Sequence, residues 1–365
     1  MNTNDYNYGQ AIFYVCFLSA ELPSQLISKK LGPDRWIPIQ MVSWSLVASC
    51  QALLSGQTSF YICRALLGLI EGGFIPDVVL YLSYFYKGSE LPTRLAWFWS
   101  ASQTTNIVGA LLASGILGLR GWNGMAGWRW LFAIEGTLTG LIGVATYFYM
   151  PPSPTQTASW FRGKHGWFTV HEEKIMVNRI LRDDPSKGDM HNRQAVTPKL
   201  LWMALQDWEM LPIYVIGLTF LIPTIPLQQY LTLILESAEF TRFQVNLLTI
   251  PAYTLFILNL LFWTRVSENI NQRFLVAIIS QIWVLPLLVI AETLPAGAGK
   301  WVKWSVASLI VGSPYVHAIH VAITSRNAGS VRTRTVASAL YNMFVQASSI
   351  IGTNVGIPSS IAENH

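Results

Sequence analysis

Residues 59–86 place three ionisable side chains, Arg64, Glu71 and Asp77, inside a stretch that is long and apolar enough to cross a bilayer. Arg64 and Glu71 are seven residues apart, close to two helical turns, so they share one face of the predicted helix. Because a charge at mid-membrane depth costs about 2.5–3.5 kcal/mol on insertion scales, such residues usually face a partner or a water-filled cavity. Two interpretations follow. The residues are either a structural ion pair that joins two helices, or a site in which Arg64 receives an anion and Glu71 handles a proton.

Side-chain amides in other apolar segments are further candidates for lining such a cavity. They occur in pairs in three segments: Gln103 with Asn106, Gln228 with Gln229, and Asn342 with Gln346. Asn342 and Gln346 are four residues apart and therefore share a helical face. We predict that Gln103, Asn342 and Gln346 bind the substrate together with Arg64. The alternative is that each amide forms only an interhelical hydrogen bond.

Motifs for catalysis, cofactors and metals are incomplete in this sequence. Gly297-Ala-Gly-Lys300 resembles the end of a phosphate-binding loop, but Leu294 occupies the position of the first glycine. His317 and His320 share a helical face without a third ligand in the pattern, so a metal site is not indicated. Core histidines bonded to a neighbouring helix are the leading interpretation, and histidines that line a cavity are the alternative. A membrane-embedded enzyme would need a nucleophile or a metal cluster within the spans. We therefore predict no enzyme, no catalytic residue, no metal site and no cofactor.

The composition is that of a membrane protein. Of the 365 residues 52% are hydrophobic and 12% are charged, against about 25% charged residues in soluble domains. The net charge of +5 arises from basic residues that punctuate apolar runs, whereas a nucleic-acid surface would cluster them. We predict a lipid bilayer as the surrounding medium and no nucleic-acid partner.

Ten apolar segments predict ten membrane spans, which makes the fold class all-α and polytopic. The segments cover residues 9–28, 37–55, 59–85, 95–118, 130–150, 210–235, 244–264, 275–292, 304–324 and 336–356. The loops on one side of the membrane are 29–36, 86–94, 151–209, 265–274 and 325–335. These loops hold 18 of the 24 Lys and Arg residues, so the positive-inside rule places them in the cytoplasm.

Segment 151–209 divides the sequence into two transmembrane lobes, residues 1–150 and residues 210–365, with five spans each. Repeated halves are typical of secondary transporters, whose binding site lies at the interface of the halves. The predicted topology places Met1 outside the cell without a signal peptide. We therefore expect a twelve-span protein that lacks its first and last helices.

The dividing segment itself carries two amphipathic patterns. Val170–Arg182 predicts a helix whose apolar face contains Met176, Val177, Ile180 and Leu181. Residues 197–208 predict a second helix that leads into the next span. We interpret the first as a helix along the cytoplasmic membrane surface, and the alternative is a solvated linker.

Three motifs resemble the anion:cation symporter branch of the major facilitator superfamily. Arg64-x-x-x-Gly68-x-x-Glu71-Gly72, closed by Pro76, resembles the fourth helix of that branch. GWRWLFAIEG at 127–136 resembles the start of its sixth helix. NAGSVRTRTVASALYNMFVQ at 327–346 resembles its loop between helices ten and eleven and the start of helix eleven. Within the branch, the sequence is similar to fungal allantoate permease-like transporters over nearly all of residues 5–355.

The resemblance implies the major facilitator fold, two pseudo-symmetric helical lobes, with about ten of the twelve spans present: helices two to six in the first lobe and seven to eleven in the second. It implies proton-coupled symport of a small organic anion by alternating access, the anion being allantoate, another ureido acid, nicotinate, pantothenate or a similar carboxylate. By position, Arg64 matches the family's carboxylate-binding arginine and Glu71 its proton-coupling glutamate. The implied partners are the anion, protons and the lipid bilayer, for a monomer in the plasma membrane.

The sequence departs from the family pattern at three places. Asp77 stands where the family usually has a glycine after the fourth-helix proline. Lys29 and Lys30 replace the common Asp-Arg pair between helices two and three, and Glu268 and Asn269 occupy the corresponding places in the second half. The alternatives to transport are a nutrient sensor that does not transport and a truncated, inactive transporter.

Overall fold

The computed structural model describes residues 3–183, 185, 202–203, 206–295, 297–328 and 331–354. Fifteen α-helices lie within these residues, in agreement with the predicted all-α fold class. The helices of the first part of the chain are α1 (Thr3–Leu31), α2 (Pro33–Cys50), α3 (Gln57–Glu71), α4 (Phe74–Phe85), α5 (Leu91–Ile116), α6 (Gly127–Tyr149) and α7 (Val170–Asp183). Those of the second part are α8 (Leu211–Thr219), α9 (Ile225–Ser237), α10 (Arg242–Ile270), α11 (Arg273–Ala277), α12 (Ile279–Thr293), α13 (Lys300–Val311), α14 (His317–Asn327) and α15 (Val331–Asn354).

All ten predicted spans fall on these helices, but four of them are interrupted. The predicted span 59–85 consists of α3 and α4, and 210–235 consists of α8 and α9. The span 275–292 falls on α11 and α12, and 304–324 falls on α13 and α14. Three of the four interruptions contain glycine or proline, which free or remove backbone hydrogen bonds.

Five helical segments among the described residues are long and apolar enough to cross a membrane, judged by length and composition. They are Asn4–Ser28, Gln57–Phe85, Gly127–Tyr149, Arg242–Ile270 and Arg273–Thr293. In the described part of the chain, the other five predicted spans lie on helices that are shorter, interrupted or less apolar.

Glycines bring α3 into close contact with α1, as the spacing Gly68-x-x-x-Gly72 predicts. A β-carbon added to Gly68 would collide with the Phe13 carbonyl oxygen. A β-carbon on Gly72 would lie 2.7 Å from both the Ala20 β-carbon and the Phe17 carbonyl oxygen. Only glycine therefore permits this distance between the two helix backbones.

The sequence has two more glycine pairs with this spacing, Gly136-x-x-x-Gly140 and Gly352-x-x-x-Gly356. The first of these packs α6 against α2. A β-carbon on Gly136 would meet Ser49, and one on Gly140 would meet Ser45. In the third pair, Gly352 lies against Ile225, whereas Gly356 falls outside the described residues.

The chain divides into two compact units. The first consists of Met1–Leu91, Phe132–Val215 and Ala322–Gln346, and the second of Pro92–Leu131, Ile216–Val321 and Ala347–His365. A buried cluster in the second unit packs α9, α10 and α13 together through residues that include Leu235, Ala252 and Val311. Because each unit combines segments from both halves of the sequence, the division into lobes 1–150 and 210–365 stays a prediction.

The loop after α10 is held by a bidentate ion pair. Arg273 donates from Nη2 to both carboxylate oxygens of Glu268 at 2.8 and 2.9 Å, and its Nε donates at 3.0 Å. The Arg273 side chain is 8% exposed. Glu268, one of the departures from the family pattern, therefore closes this loop locally.

The amphipathic helix predicted at Val170–Arg182 is present as α7. Thr169 and Glu172 cap its start, because the Thr169 backbone N–H donates to Glu172 Oε2 at 2.8 Å and the Glu172 N–H donates back to the threonine hydroxyl. This backbone hydrogen bond, helped by the Thr169 hydroxyl, lowers the pKa of the Glu172 carboxyl below its ordinary value. On the apolar face Ile180 is buried. The second predicted helix, 197–208, lies mostly outside the described residues.

Candidate functional site

The interruption between α3 and α4 positions the ionisable residues of the predicted site. Glu71 is the last residue of α3, and the chain then turns through Gly72 and Gly73 before α4 begins. Gly73 adopts φ +86°, a left-handed conformation that favours glycine. Asp77 lies in the first turn of α4, where the helix dipole favours a carboxylate. The predicted site is therefore built at a broken helix, not along a continuous one.

Two buried glutamines donate to backbone carbonyls at the interruption. Gln40 of α2 donates through Nε2 to the carbonyl oxygens of Ile70 and Gly72, at 3.1 and 3.2 Å. Gln25 of α1 donates through Nε2 to the Gly73 carbonyl oxygen at 3.3 Å. Inside a membrane such carbonyls require protein donors, so these amides make the broken backbone tolerable.

Arg64 lies on α3, two turns before the break. Its guanidinium carbon is 5.1 Å from the centroid of the Phe60 ring, a cation–π contact. The Nε atom is buried and has no hydrogen-bond partner among the described residues. Arg64 thus carries donor capacity that the described part of the protein does not use.

Glu71 and Arg64 do not form a direct ion pair. In the described part of the chain, every ion pair within 4 Å joins other residues. The Arg64 charge still acts on the Glu71 carboxyl over a longer distance. The structure therefore does not contain the tight structural ion pair that was one interpretation of this spacing.

Glu21 was not predicted as a site residue, yet it is a fully buried acid that is bonded to a distant helix. It is on α1 within the span Asn4–Ser28 and is 0% exposed. Asn342 of α15 donates through Nδ2 to Glu21 Oε1 at 2.9 Å, while Oε2 has no hydrogen-bond partner among the described residues. An acid inside the apolar segment 9–28 is the sequence signal that could have identified it.

Asp77 is a second buried acid, and it is bonded to α1. Its side chain is 0% exposed, and Gln25 Nε2 donates to its Oδ1 at 2.8 Å. Gln25 is one turn after Glu21 on α1, so α1 holds both acids. Nearby, the Ser24 hydroxyl oxygen accepts hydrogen bonds from Trp36 Nε1 at 2.9 Å and from Gln40 Nε2 at 3.1 Å. The residue that departs from the family pattern is therefore a bonded part of the interior.

The three amides that were predicted to bind the substrate lie in different surroundings. Asn342 is 4% exposed and bonds Glu21, and Gln346 is half-buried one turn further along α15. Gln103 is half-buried on α5 and accepts a hydrogen bond from Asn106 Nδ2 at 3.0 Å. Arg64, Asn342 and Gln346 belong to the first compact unit and Gln103 to the second.

His317 and His320 lie in an aromatic cluster in the second unit. The ring centroid of His317 is 5.1 Å from that of Trp99, and the centroid of His320 is 5.0 Å from that of Phe220. Both histidines are buried, at 1% and 5% exposure. In the described residues, no group of three His, Cys, Asp or Glu side chains is placed to hold a metal ion. The interpretation as core histidines is therefore consistent with the structure.

The sequence of this chain matches the family model described as Major Facilitator Superfamily over residues 3–353. The chain belongs to the major facilitator superfamily. Its family and its long apolar helices make it an integral membrane protein. The fold agrees: the structure of the proton:xylose symporter XylE superposes with a TM-score of 0.65 at 14% identity, covering 96% of this chain and 78% of that one.

Two proteins with similar sequences show which transporters this chain resembles. It is 46% identical over 357 residues to the uncharacterized transporter YIL166C of Saccharomyces cerevisiae, covering 97% of this chain and 66% of the relative. It is 32% identical over 183 residues to a protein of Agrobacterium vitis provisionally named a tartrate transporter, covering 50% of this chain and 40% of the relative. This chain thus spans slightly less than two thirds of the yeast relative's length.

Proposed function

We propose that this transporter carries a small organic anion together with a proton, by alternating access. We assign it to the anion:cation symporter branch, close to the allantoate permease-like proteins, and we place it in the plasma membrane as a monomer. The observation that carries the proposal is Arg64, a cation inside the membrane span Gln57–Phe85 whose buried Nε lacks an acceptor among the described residues.

An arginine in this position suits a carboxylate substrate. The guanidinium is planar and always charged, and it presents parallel N–H donors that match the two oxygens of a carboxylate. An unsatisfied hydrogen-bond donor in a membrane is costly, so a bound anion would stabilise the protein by accepting a hydrogen bond from Arg64 Nε. The cation–π contact with Phe60 would hold the guanidinium in place while the anion binds.

Glu71 supplies the proton-coupling step of the proposal. It is half-buried at the end of α3, whereas Glu21 and Asp77 are fully buried and bonded to amides. A carboxyl group that is partly shielded from water can take up and release a proton as its surroundings change. When Glu71 is protonated, an anion on Arg64 leaves the pair electrically neutral, and a neutral pair crosses the low-dielectric membrane at smaller cost.

The bacterial relative supports an organic anion as the substrate class. Its name assigns it tartrate, a small molecule with two carboxylates. Tartrate therefore joins the ureido acids, nicotinate and pantothenate as a candidate. Gln103, Asn342 and Gln346 remain proposed substrate contacts, and Asn342 would have to exchange its bond with Glu21 to reach a ligand.

Substitution of Arg64 by lysine tests the anion site. Lysine keeps the charge but replaces the planar fork with a point charge, so we expect the affinity for the transported acid to fall more than about tenfold, or 1.4 kcal/mol. The measurement is the concentration dependence of labelled acid uptake by the purified chain in proteoliposomes. Lys300→Arg, a cation exchange outside the described spans, is the control. Unchanged affinity in Arg64→Lys would make Arg64 a structural residue.

A further inference from the structure

A second candidate site lies beside α7, at the turn that follows the last residue of α4. It takes no part in the proposed transport chemistry. A cavity of about 710 Å³ opens between α7 and the turn after α4. Eight residues line this α7 pocket, and five of them are basic: Lys87, His171, Lys174, Arg179 and Arg182. The lining also includes the acid Asp183 and the apolar Ile175.

The basic residues share one face of α7. Positions 171, 174, 175, 178 and 182 recur at the spacing of three and four residues that aligns side chains along a helix. Ile180, which is buried, points to the opposite side. The basic face is therefore the outward face of a helix whose apolar face is docked.

Two of the charged residues hold the helix in place. Arg179 pairs with Glu90 at 3.2 Å and donates through Nη2 to the Phe85 carbonyl oxygen at 3.0 Å. Asp183 accepts a hydrogen bond from the Gly88 backbone N–H at 2.8 Å. These bonds fix α7 to the turn after α4 and so form the pocket.

The remaining cations are not used in this way. The side chains of Lys87, Lys174 and Arg182 make no ion pair within 4 Å with any residue in the ranges that the structure describes. Lys174 and Arg182 are exposed, and Lys87 is half-buried. Three positive charges outside any ion pair line one cavity, and Asp183 is the acid that lines it with them.

The pocket also lies at the edge of the membrane. The span Gln57–Phe85 ends two residues before Lys87, and Arg179 bonds the last residue of that span. Ile175, 52% exposed, stands among the cations and offers an apolar contact. Clustered Lys and Arg next to a span, on an amphipathic helix, are the arrangement that attracts anionic lipid headgroups.

We propose that the α7 pocket binds the phosphorylated headgroup of an anionic phospholipid, with a phosphoinositide as the chemical class. Three free cations match a headgroup that carries more than one phosphate, and Ile175 would contact the lipid above it. The predicted cytoplasmic position of segment 151–209 places the pocket at the leaflet that carries such lipids.

Direct binding of a short-chain phosphatidylinositol phosphate tests this proposal. The purified full chain in neutral detergent is titrated with the labelled lipid, with short-chain phosphatidylcholine and with free inositol bisphosphate. We expect saturable binding of the phosphoinositide and none of phosphatidylcholine. We also expect the free headgroup to bind about tenfold more weakly, because it lacks the apolar contact.

The double substitution Lys174→Gln with Arg182→Gln should weaken phosphoinositide binding by about tenfold or more, since each basic residue near a membrane surface contributes to the attraction. Lys164→Gln with Lys300→Gln removes the same charge outside the pocket and should leave binding unchanged. Size-exclusion chromatography and helical circular dichroism establish that both variants are folded. Equal binding by the two double variants, or a free headgroup that binds as tightly as the lipid, would overturn the proposal.

Discussion

Among the acids of the first compact unit, Glu21, Glu71 and Asp77 differ in how the protein holds them. Glu21 and Asp77 are 0% exposed, and each accepts a hydrogen bond from an amide of Asn342 or Gln25. Glu71 is half-buried at a helix end, with Arg64 as the charge that acts on it. The hydrogen bonds of Glu21 and Asp77 join α1 to α15 and α4, whereas we propose that Glu71 exchanges a proton.

Substitution of Asn342 by alanine separates a structural role from substrate binding. The change removes the donor to a fully buried carboxyl group, so we expect a loss of about 1–3 kcal/mol in the free energy of unfolding. The measurement is the thermal unfolding midpoint in detergent, followed by tryptophan fluorescence. Gln346→Ala, one turn along the same helix and half-buried, should cost about 0.5 kcal/mol or less. An Asn342→Ala protein with normal stability and weakened substrate affinity would instead favour the amide as a ligand.

Sequence reasoning identified Arg64, Glu71 and Asn342 but could not show which of them share bonds. The partners of Asn342 and Asp77 come from α1, more than fifty residues away along the chain, and no local pattern contains that information. Glu21 could have been found, because an acid in an apolar segment is a signal in itself. The predicted site residues rested on the motif around Arg64, which does not include Glu21.

Among the helices, the interruption between α3 and α4 is the main difference from the predicted continuous span 59–85. Apart from Arg64, Glu71 and Asp77, the segment 59–85 is almost continuously apolar, so its hydrophobic pattern does not show where a helix would break. A glycine pair is compatible with a continuous helix as well as with a turn. The contact with α1 and the buried amides of Gln25 and Gln40 decide between the two.

Substitution of Gly73 by alanine tests whether this interruption is required. At φ +86° an added β-carbon is strained, and it would lie 2.5 Å from the Ser24 β-carbon. We expect a loss of at least about 2 kcal/mol in the free energy of unfolding, together with reduced transport. Gly115→Ala on α5, where no atom lies within 4 Å, should be neutral or stabilising. If Gly73→Ala unfolds at the same denaturant concentration as wild type, the left-handed turn is not essential.

For the whole molecule, orientation in the membrane follows from the distribution of basic residues and stays a prediction. With 18 of 24 Lys and Arg residues on one side, segment 151–209 is expected in the cytoplasm. A cysteine at the exposed Lys164, in a protein without its native cysteines, should resist impermeant thiol reagents in intact cells. It should react once the cells are permeabilised. Labelling in intact cells would reverse the orientation and, with it, the leaflet assigned to the α7 pocket.

Composition and hydrophobic runs were sufficient to predict the fold class, because a helix is the main way to satisfy a backbone inside lipid. They were not sufficient to define compact units. The contacts that group Ala322–Gln346 with the first ninety residues depend on side chains such as Asn342 and Glu21, which are separated by almost the whole chain.

Two assays on the Glu71→Gln protein test whether an organic anion moves together with a proton. Purified chains are reconstituted in proteoliposomes, and labelled tartrate and the candidate ureido and pyridine acids are supplied with an acidic exterior. Wild type should accumulate one of these acids against its gradient. Glu71→Gln, whose neutral amide imitates the protonated acid, should lose this accumulation but retain counterflow, the exchange of labelled for unlabelled substrate. A folded Glu71→Gln protein that still accumulates substrate, or that is inactive in both assays, would contradict proton coupling through Glu71.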